Sequence, residues 1–102
     1  MKLPTAEEQS LLRHLAQGNR IVFWQLWMRH QDYLYSRCIS WMGGNITDAQ
    51  EALSRAMLKA WHKLPQHAAK ITNLKAWLTR FTHNLCVDIC RERCRHAISV
   101  EK

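Results

Sequence analysis

The sequence predicts an all-α fold, a compact bundle of three main helices with a short N-terminal helix. Three observations carry this. First, 102 residues with 47% hydrophobic and 23% charged side chains have the size and mix of one globular domain. Second, 3 Gly and 2 Pro are too few for the repeated tight reversals of a β-sandwich or barrel. Third, apolar residues recur at steps of three and four through most of the chain.

The first helix is expected from Thr5, which with Glu8 has capping-box spacing after Pro4, and carries Leu11, Leu12 and Leu15 to Gly18-Asn19. A longer second helix, from about Arg20 to Met42, places Phe23, Trp27, Leu34, Cys38 and Trp41 on one stripe and ends at Gly43-Gly44-Asn45. Thr47 and Gln50 offer another capping box for the third helix, whose stripe is Ala49, Leu53, Ala56, Met57, Ala60, Trp61 and Leu64 before Pro65 stops it. After a loop over residues 66–72, Asn73 caps a fourth helix with Leu74, Trp77, Leu78, Phe81, Leu85 and Ile89 inward. This pattern fades through residues 91–95 and is lost after His96. Trp27, Leu53, Met57, Trp61, Trp77, Leu78 and Phe81 are expected to bury together. The whole chain, residues 1–102, reads as a single domain without internal repeats.

No stretch approaches the roughly 18 consecutive apolar residues of a membrane span, and residues 1–8 lack the apolar core of a signal peptide. A cytoplasmic protein is expected, with Cys38, Cys86, Cys90 and Cys94 as reduced thiols. Charge is one-sided. Residues 1–51 balance Lys2, Arg13, Arg20, Arg29 and Arg37 against Glu7, Glu8, Asp32, Asp48 and Glu51, so the net +7 lies wholly in the second half. Such a field points first to a nucleic acid and second to an anionic membrane, beside the plainer reading of a solvated basic face.

His83, Cys86, Cys90 and Cys94 have spacings at which side chains can share a metal, but all lie on one helix, and a buried cysteine is also simply a small apolar residue. No metal site and no cofactor is expected. With no Gly-rich phosphate loop and no evident nucleophile, base and acid set, the chain does not read as an enzyme. The Trp residues on the stripes read as packing, while Trp24 lies beside its stripe and is undecided between packing and base stacking. The strongest functional signal is in the loop and fourth helix. Lys63, His67, Lys70, Asn73, Lys75, Arg80, His83, Asn84, Arg91 and Arg95 set cations, amides and imidazoles beside Trp77, a combination that neutralises phosphates and hydrogen-bonds exposed base edges. Asn84, Asp88, Arg91 and Arg95 share one helical face, where an Asp88–Arg91 pair would be the ordinary surface alternative.

The order of residues adds a resemblance. The run Leu11-Leu12-Arg13-His14-Leu15-Ala16-Gln17-Gly18-Asn19-Arg20, the segment 23–35, Asp48-Ala49-Gln50-Glu51-Ala52-Leu53 leading to Met57-Leu58-Lys59-Ala60-Trp61, and Leu74-Lys75-Ala76-Trp77-Leu78 followed by Asn84, Asp88 and Arg91 are similar to region 2 of the extracytoplasmic-function (ECF) branch of bacterial sigma-70 factors. The similarity spans residues 11–95. It implies a third helix docked on the clamp helices of core RNA polymerase through Gln50, Glu51, Ser54, Arg55 and Leu58. It also implies a loop and fourth helix that open the promoter's minus-ten element and hold a flipped base of the non-template strand.

Two departures stand out. Where the family usually carries Gln followed by an acid, this chain has Ser54-Arg55, which puts a cation at the docking position. The family's second DNA-reading domain, for the minus-thirty-five element, does not follow Lys102, so the chain is expected to be a fragment or to work with region 2 alone. The leading expectation is a transcription-initiation domain. The alternative is a sigma-like fold repurposed as an interaction module for an anti-sigma factor or another protein. A peripheral membrane role is disfavoured because the apolar helix faces are needed for the core.

Overall fold

The computed structural model describes residues 6–101, with side chains from 6 to 93. Thr5, and the side chains of Cys94 and Arg95, lie outside the described residues. The chain forms α1 (Ala6–Ala16), α2 (Val22–Trp41), α3 (Ile46–His67), a 3-10 turn (Ala68–Lys70) and α4 (Leu74–Glu101). No strand occurs among the described residues.

Glycine ends two of the helices. At the end of α1, Gly18 at φ 103 lets its N–H reach the Leu15 carbonyl at 3.0 Å and the Asn19 N–H reach His14 at 3.0 Å. Gly43, at φ 69, repeats this after α2, with the Gly44 N–H on the Ile39 carbonyl at 2.8 Å. Both closures satisfy carbonyls of the last helical turn and need a left-handed residue.

Several boundaries differ from expectation. Arg20 and Ile21 form a turn, so α2 starts at Val22. The cap of α3 is Asn45, not Thr47: Asn45 is extended, and its side-chain oxygen accepts the Asp48 N–H at 3.1 Å, leaving Thr47 in the first turn. Pro65 does not stop α3, which continues to His67. A proline that near a helix end removes only one N–H, and Gln66 Nε2 donates to the nearby His62 carbonyl at 3.1 Å. The helical backbone of α4 also persists to Glu101, past the point where the apolar pattern fades.

The core corrects the expected burial set in an informative way. The buried residues of α3 are Ala49, Ala52, Ala56, Ala60 and Leu64. Leu53, Met57 and Trp61 stand on its flank, half-buried, as do Trp41, Trp77 and Phe81 elsewhere; only Trp27 and Leu78 of the expected set are fully inside. Bulk comes from the other helices: Leu12 and Leu15 of α1, Phe23, Leu26, Trp27 and Leu34 of α2, and Leu74, Leu78, Leu85 and Ile89 of α4. The Trp27 indole N–H donates to Gln31 Oε1 at 2.9 Å, so its burial strands no donor. Thr82 is the exception among the described residues, its hydroxyl buried without a partner at a cost of about 1–3 kcal/mol.

Cross-helix contacts give the directions. Tyr33 meets Lys75, Cys38 meets Cys86 and Met42 meets Cys90, so α2 and α4 run parallel, side by side. Contacts from Asp48 to Arg93 and from His67 to Trp77 set α3 antiparallel to α4. α1 is held to α2 by Glu8 and His30 Nε2 at 2.8 Å and by Glu7 and Arg29 at 2.5 Å. Gln9 Nε2 of α1 also donates to the Thr72 carbonyl at 3.0 Å, and Ile71 is buried, which pins the loop before α4 from below.

Burial predicts unequal costs for the Trp residues. Trp27→Ala should destabilise by about 3–5 kcal/mol, whereas half-buried Trp61→Ala should lose only about 1–3 kcal/mol. Denaturant unfolding of both variants checks this, and equal losses would contradict the packing.

Candidate nucleic-acid interface

Asn73 fixes where α4 begins, its side-chain oxygen accepting the Ala76 N–H at 3.1 Å while its carbonyl accepts from Trp77 at 3.1 Å. From this cap, Lys75, Ala76, Thr79, Arg80 and His83 line one flank of α4. Because α2 runs parallel alongside, Tyr33, Arg37 and Trp41 line the facing flank, and the two walls enclose an open groove of about 900 Å³. Lys75 Nζ sits 4.2 Å above the Tyr33 ring, the Arg37 guanidinium 5.1 Å above the Trp41 ring, and the Trp41 and His83 rings meet at 4.8 Å. These contacts hold the cations in place without neutralising them.

Among the described residues, no carboxylate lines the groove. Arg29, Arg55 and Arg93 are ion-paired and lie elsewhere, whereas Arg37, Lys75 and Arg80 have no acid partner among the described residues. Three unpaired cations, two aromatic rings and an imidazole in one concavity are suited to phosphates with flat bases between them. The ring faces and guanidinium planes supply stacking, and the cations supply salt-sensitive attraction.

The residues expected at the interface do not share one surface. Asn73, Lys75, Arg80 and His83 meet in the groove. Asn84, Asp88 and Arg91 form an exposed ridge on α4, and Asp88 and Arg91 make no ion pair with each other. Arg91 also lines a smaller crevice of about 210 Å³, which Trp41 and His83 share with the groove. Trp77 is half-buried, stacked on Phe81 at 4.9 Å with His67 at 5.8 Å, so part of its ring is already committed to packing. Lys63 and Lys70 are exposed but do not line the groove. Tyr33 and Arg37 escaped the sequence reading as site residues, and Trp41, read there as packing, lines the groove. Their regular spacing of four along α2 was the available signal, but it gains meaning only once α4 lies beside it.

A second surface lies on α3. Gln50, Ser54 and Leu58 are exposed, Leu58 at 60%. Arg55 Nη2 lies 2.7 Å from Glu51 Oε2, and Arg93 of α4 reaches Glu51 at 3.2 Å as well as Asp48. The cation at the altered position is thus matched within its own helix. On the α2 side, Ile21, Trp24 and Met28 are exposed, and Trp24 stacks on Trp61 at 5.5 Å. Cys86 faces Cys38 across the interior, and no group of three or more His, Cys, Asp or Glu suited to a metal occurs among the described residues.

The groove makes a quantitative expectation. Arg37→Gln combined with Lys75→Gln should weaken binding of single-stranded DNA and reduce the slope of log affinity against log salt by about 0.7 for each phosphate no longer neutralised. Fluorescence anisotropy across a salt series measures both, and an unchanged slope would show that phosphates do not enter the groove.

Searches of curated proteins and of solved structures find no match. The family described as sigma-70 region 2 matches residues 26–96. That span holds both walls of the groove, all of α3 and the α4 ridge, and on this match the chain belongs to the sigma-70 region 2 family.

Proposed function

We propose that this chain is a single region 2 domain of the ECF branch, which docks on core RNA polymerase and holds the non-template strand of the promoter minus-ten element unpaired. The acid-free groove carries the reading. It offers phosphate neutralisation and base stacking together, which a melted strand satisfies and an intact duplex, with its bases stacked inside, does not. On this reading His67, Lys70 and Trp77 at the pinned loop receive the flipped base, and Asn73, Lys75, Arg80 and His83 carry the adjoining backbone. Asn84 and Arg91, continued by Arg95 outside the described side chains, follow the strand along α4. Lys63 adds to the attracting field. Unstacking a base costs a few kcal/mol, an amount that such contacts can offset.

Polymerase would meet the other side, at Gln50, Glu51, Ser54, Arg55 and Leu58, with the exposed Ile21, Trp24 and Met28 nearby as apolar contact area. The domain is a transcription-factor type, not an enzyme type, and no helix among the described residues is long and apolar enough to cross a membrane. A cytoplasmic location accords with this role.

One observation favours the second reading, a repurposed module for an anti-sigma factor or another protein. Glu51 is bridged by both Arg55 and Arg93, so the α3 surface presents a neutralised network where the family usually carries Gln followed by an acid. Arg55→Glu separates the two readings. Arg93 remains to hold Glu51, the new carboxylate faces outward, and weak polymerase binding by the native chain should tighten. With purified core polymerase at low salt, absence of binding by both forms would end the initiation role. The native chain should also prefer bubble DNA to duplex, and equal affinities would leave only nonspecific attraction.

A further inference from the structure

Sulfur lines the seam beneath the groove. Cys38 of α2 and Cys86 of α4, exposed by 0% and 1%, set their Sγ atoms 3.9 Å apart. One turn further along both helices, Cys90 Sγ lies 4.0 Å from Met42 Sδ. Buried cysteines are ordinarily small apolar fillers. This pair differs in two respects. The thiols touch across separate helices, and Cys86 lines the crevice of about 210 Å³ bounded by Trp41, His83, Val87, Cys90 and Arg91. That space exceeds the roughly 30 Å³ share of a water molecule severalfold, which leaves room for a peroxide.

The two thiols are electrostatically unequal. The hydrogen bond shared with Cys38 lowers the Cys86 thiol below its ordinary value, against the opposing effect of burial. The same bond, with burial and the neighbouring charge, raises Cys38 far above the usual thiol range. Cys86 is therefore the sulfur that ionises first, and the thiolate is the nucleophile.

We propose that Cys38 and Cys86 form a redox modification site, a thiol pair that hydroperoxides convert to a disulfide joining α2 to α4 beneath the groove. The Cys86 thiolate attacks one peroxide oxygen and the O–O bond breaks, giving a sulfenic acid and hydroxide, which takes up the proton released by Cys86. The Cys38 sulfur then attacks the Cys86 sulfur; the S–O bond breaks, and hydroxide leaves with the Cys38 proton as a second water. Two thiols and one hydrogen peroxide become one disulfide and two waters, the sulfurs oxidised and the peroxide oxygens reduced. Closing to a disulfide of about 2.05 Å draws the sulfurs together by about 2 Å. Cys38 follows Arg37 directly and Cys86 lies one turn beyond His83, so this movement narrows the end of the groove that Trp41 and His83 share.

The test treats the reduced full chain with a small excess of hydrogen peroxide, blocks free thiols and maps peptides without reduction. The expected product links the Cys38 and Cys86 peptides, is reversed by dithiothreitol and forms in Cys90→Ala but not in Cys38→Ala or Cys86→Ala. The thermal midpoint should rise by about 10 °C or more, and affinity for a single-stranded oligonucleotide should fall about threefold or more. Oxidation that stops at a sulfinic Cys86, or a link through Cys90 or Cys94, overturns the proposal; a Cys38–Cys86 link with unchanged affinity overturns its coupling to the groove. The coupling rests on reading the groove as the nucleic-acid site. If the reduced chain binds no oligonucleotide, that reading fails by itself, while the peptide map and midpoint still decide the thiol pair.

Discussion

The alanine face of α3 is the constraint on which the rest of the molecule depends. Ala49, Ala52, Ala56 and Ala60 are fully buried and contribute almost no side-chain bulk, so α3 lies close against both α2 and α4. The interior is then filled by Phe23, Trp27 and the leucines of the other helices. With α3 tucked in on one side, α2 and α4 are left adjacent and parallel on the other, and the groove is the furrow between them. A larger residue at any of these alanines would force the three helices apart, disturbing the core and the spacing of the groove walls together.

Charge is partitioned on this frame. Every acid–arginine pair among the described residues lies away from the groove: Glu7 with Arg29 on α1 and α2, Glu51 with Arg55 along α3, and Asp48 and Glu51 with Arg93 between α3 and α4. Among the described residues the charged groups lining the groove are cations, and Arg37 and Lys75 are held over rings rather than beside carboxylates. One molecule thus presents a nearly neutral, partly apolar face suited to a protein and an uncompensated face suited to a polyanion. That division matches a domain that links polymerase to promoter DNA, and the thiol pair lies in the contact between α2 and α4, the helices that carry the groove walls.

Much of the fold was legible because its signals are local. Asn73 caps α4 as its sequence context requires, and Gly18 and Gly43 close α1 and α2 where the periodic runs end. The α3 stripe was right in period, and its Ala49, Ala56, Ala60 and Leu64 are buried, but Leu53, Met57 and Trp61 are only half-buried while Ala52 is inside, because close packing selects the smaller residue. Thr47 reads as the cap of α3 and Asn45 as the end of α2, and the backbone geometry gives the cap to Asn45 instead. The groove was half legible. Its α4 wall carried a dense run of cations and amides, whereas Arg37 reads as an isolated surface charge and Trp41 as core until a helix more than thirty residues away is laid beside them. Lys63 and Lys70 shared the composition of the site without sharing its concavity.

The five tryptophans allow the central claim to be tested in one measurement, a titration of the isotopically labelled chain with a single-stranded oligonucleotide, followed through the indole N–H resonances by NMR. Trp41 stands in the groove and Trp77 beside the loop, while Trp24 and Trp61 stack together on the far flank and Trp27 is sealed in the core. The account predicts that the Trp41 and Trp77 signals move with DNA while those of Trp24, Trp27 and Trp61 stay in place. Movement confined to Trp24 and Trp61, or small and equal movement of all five, would contradict it.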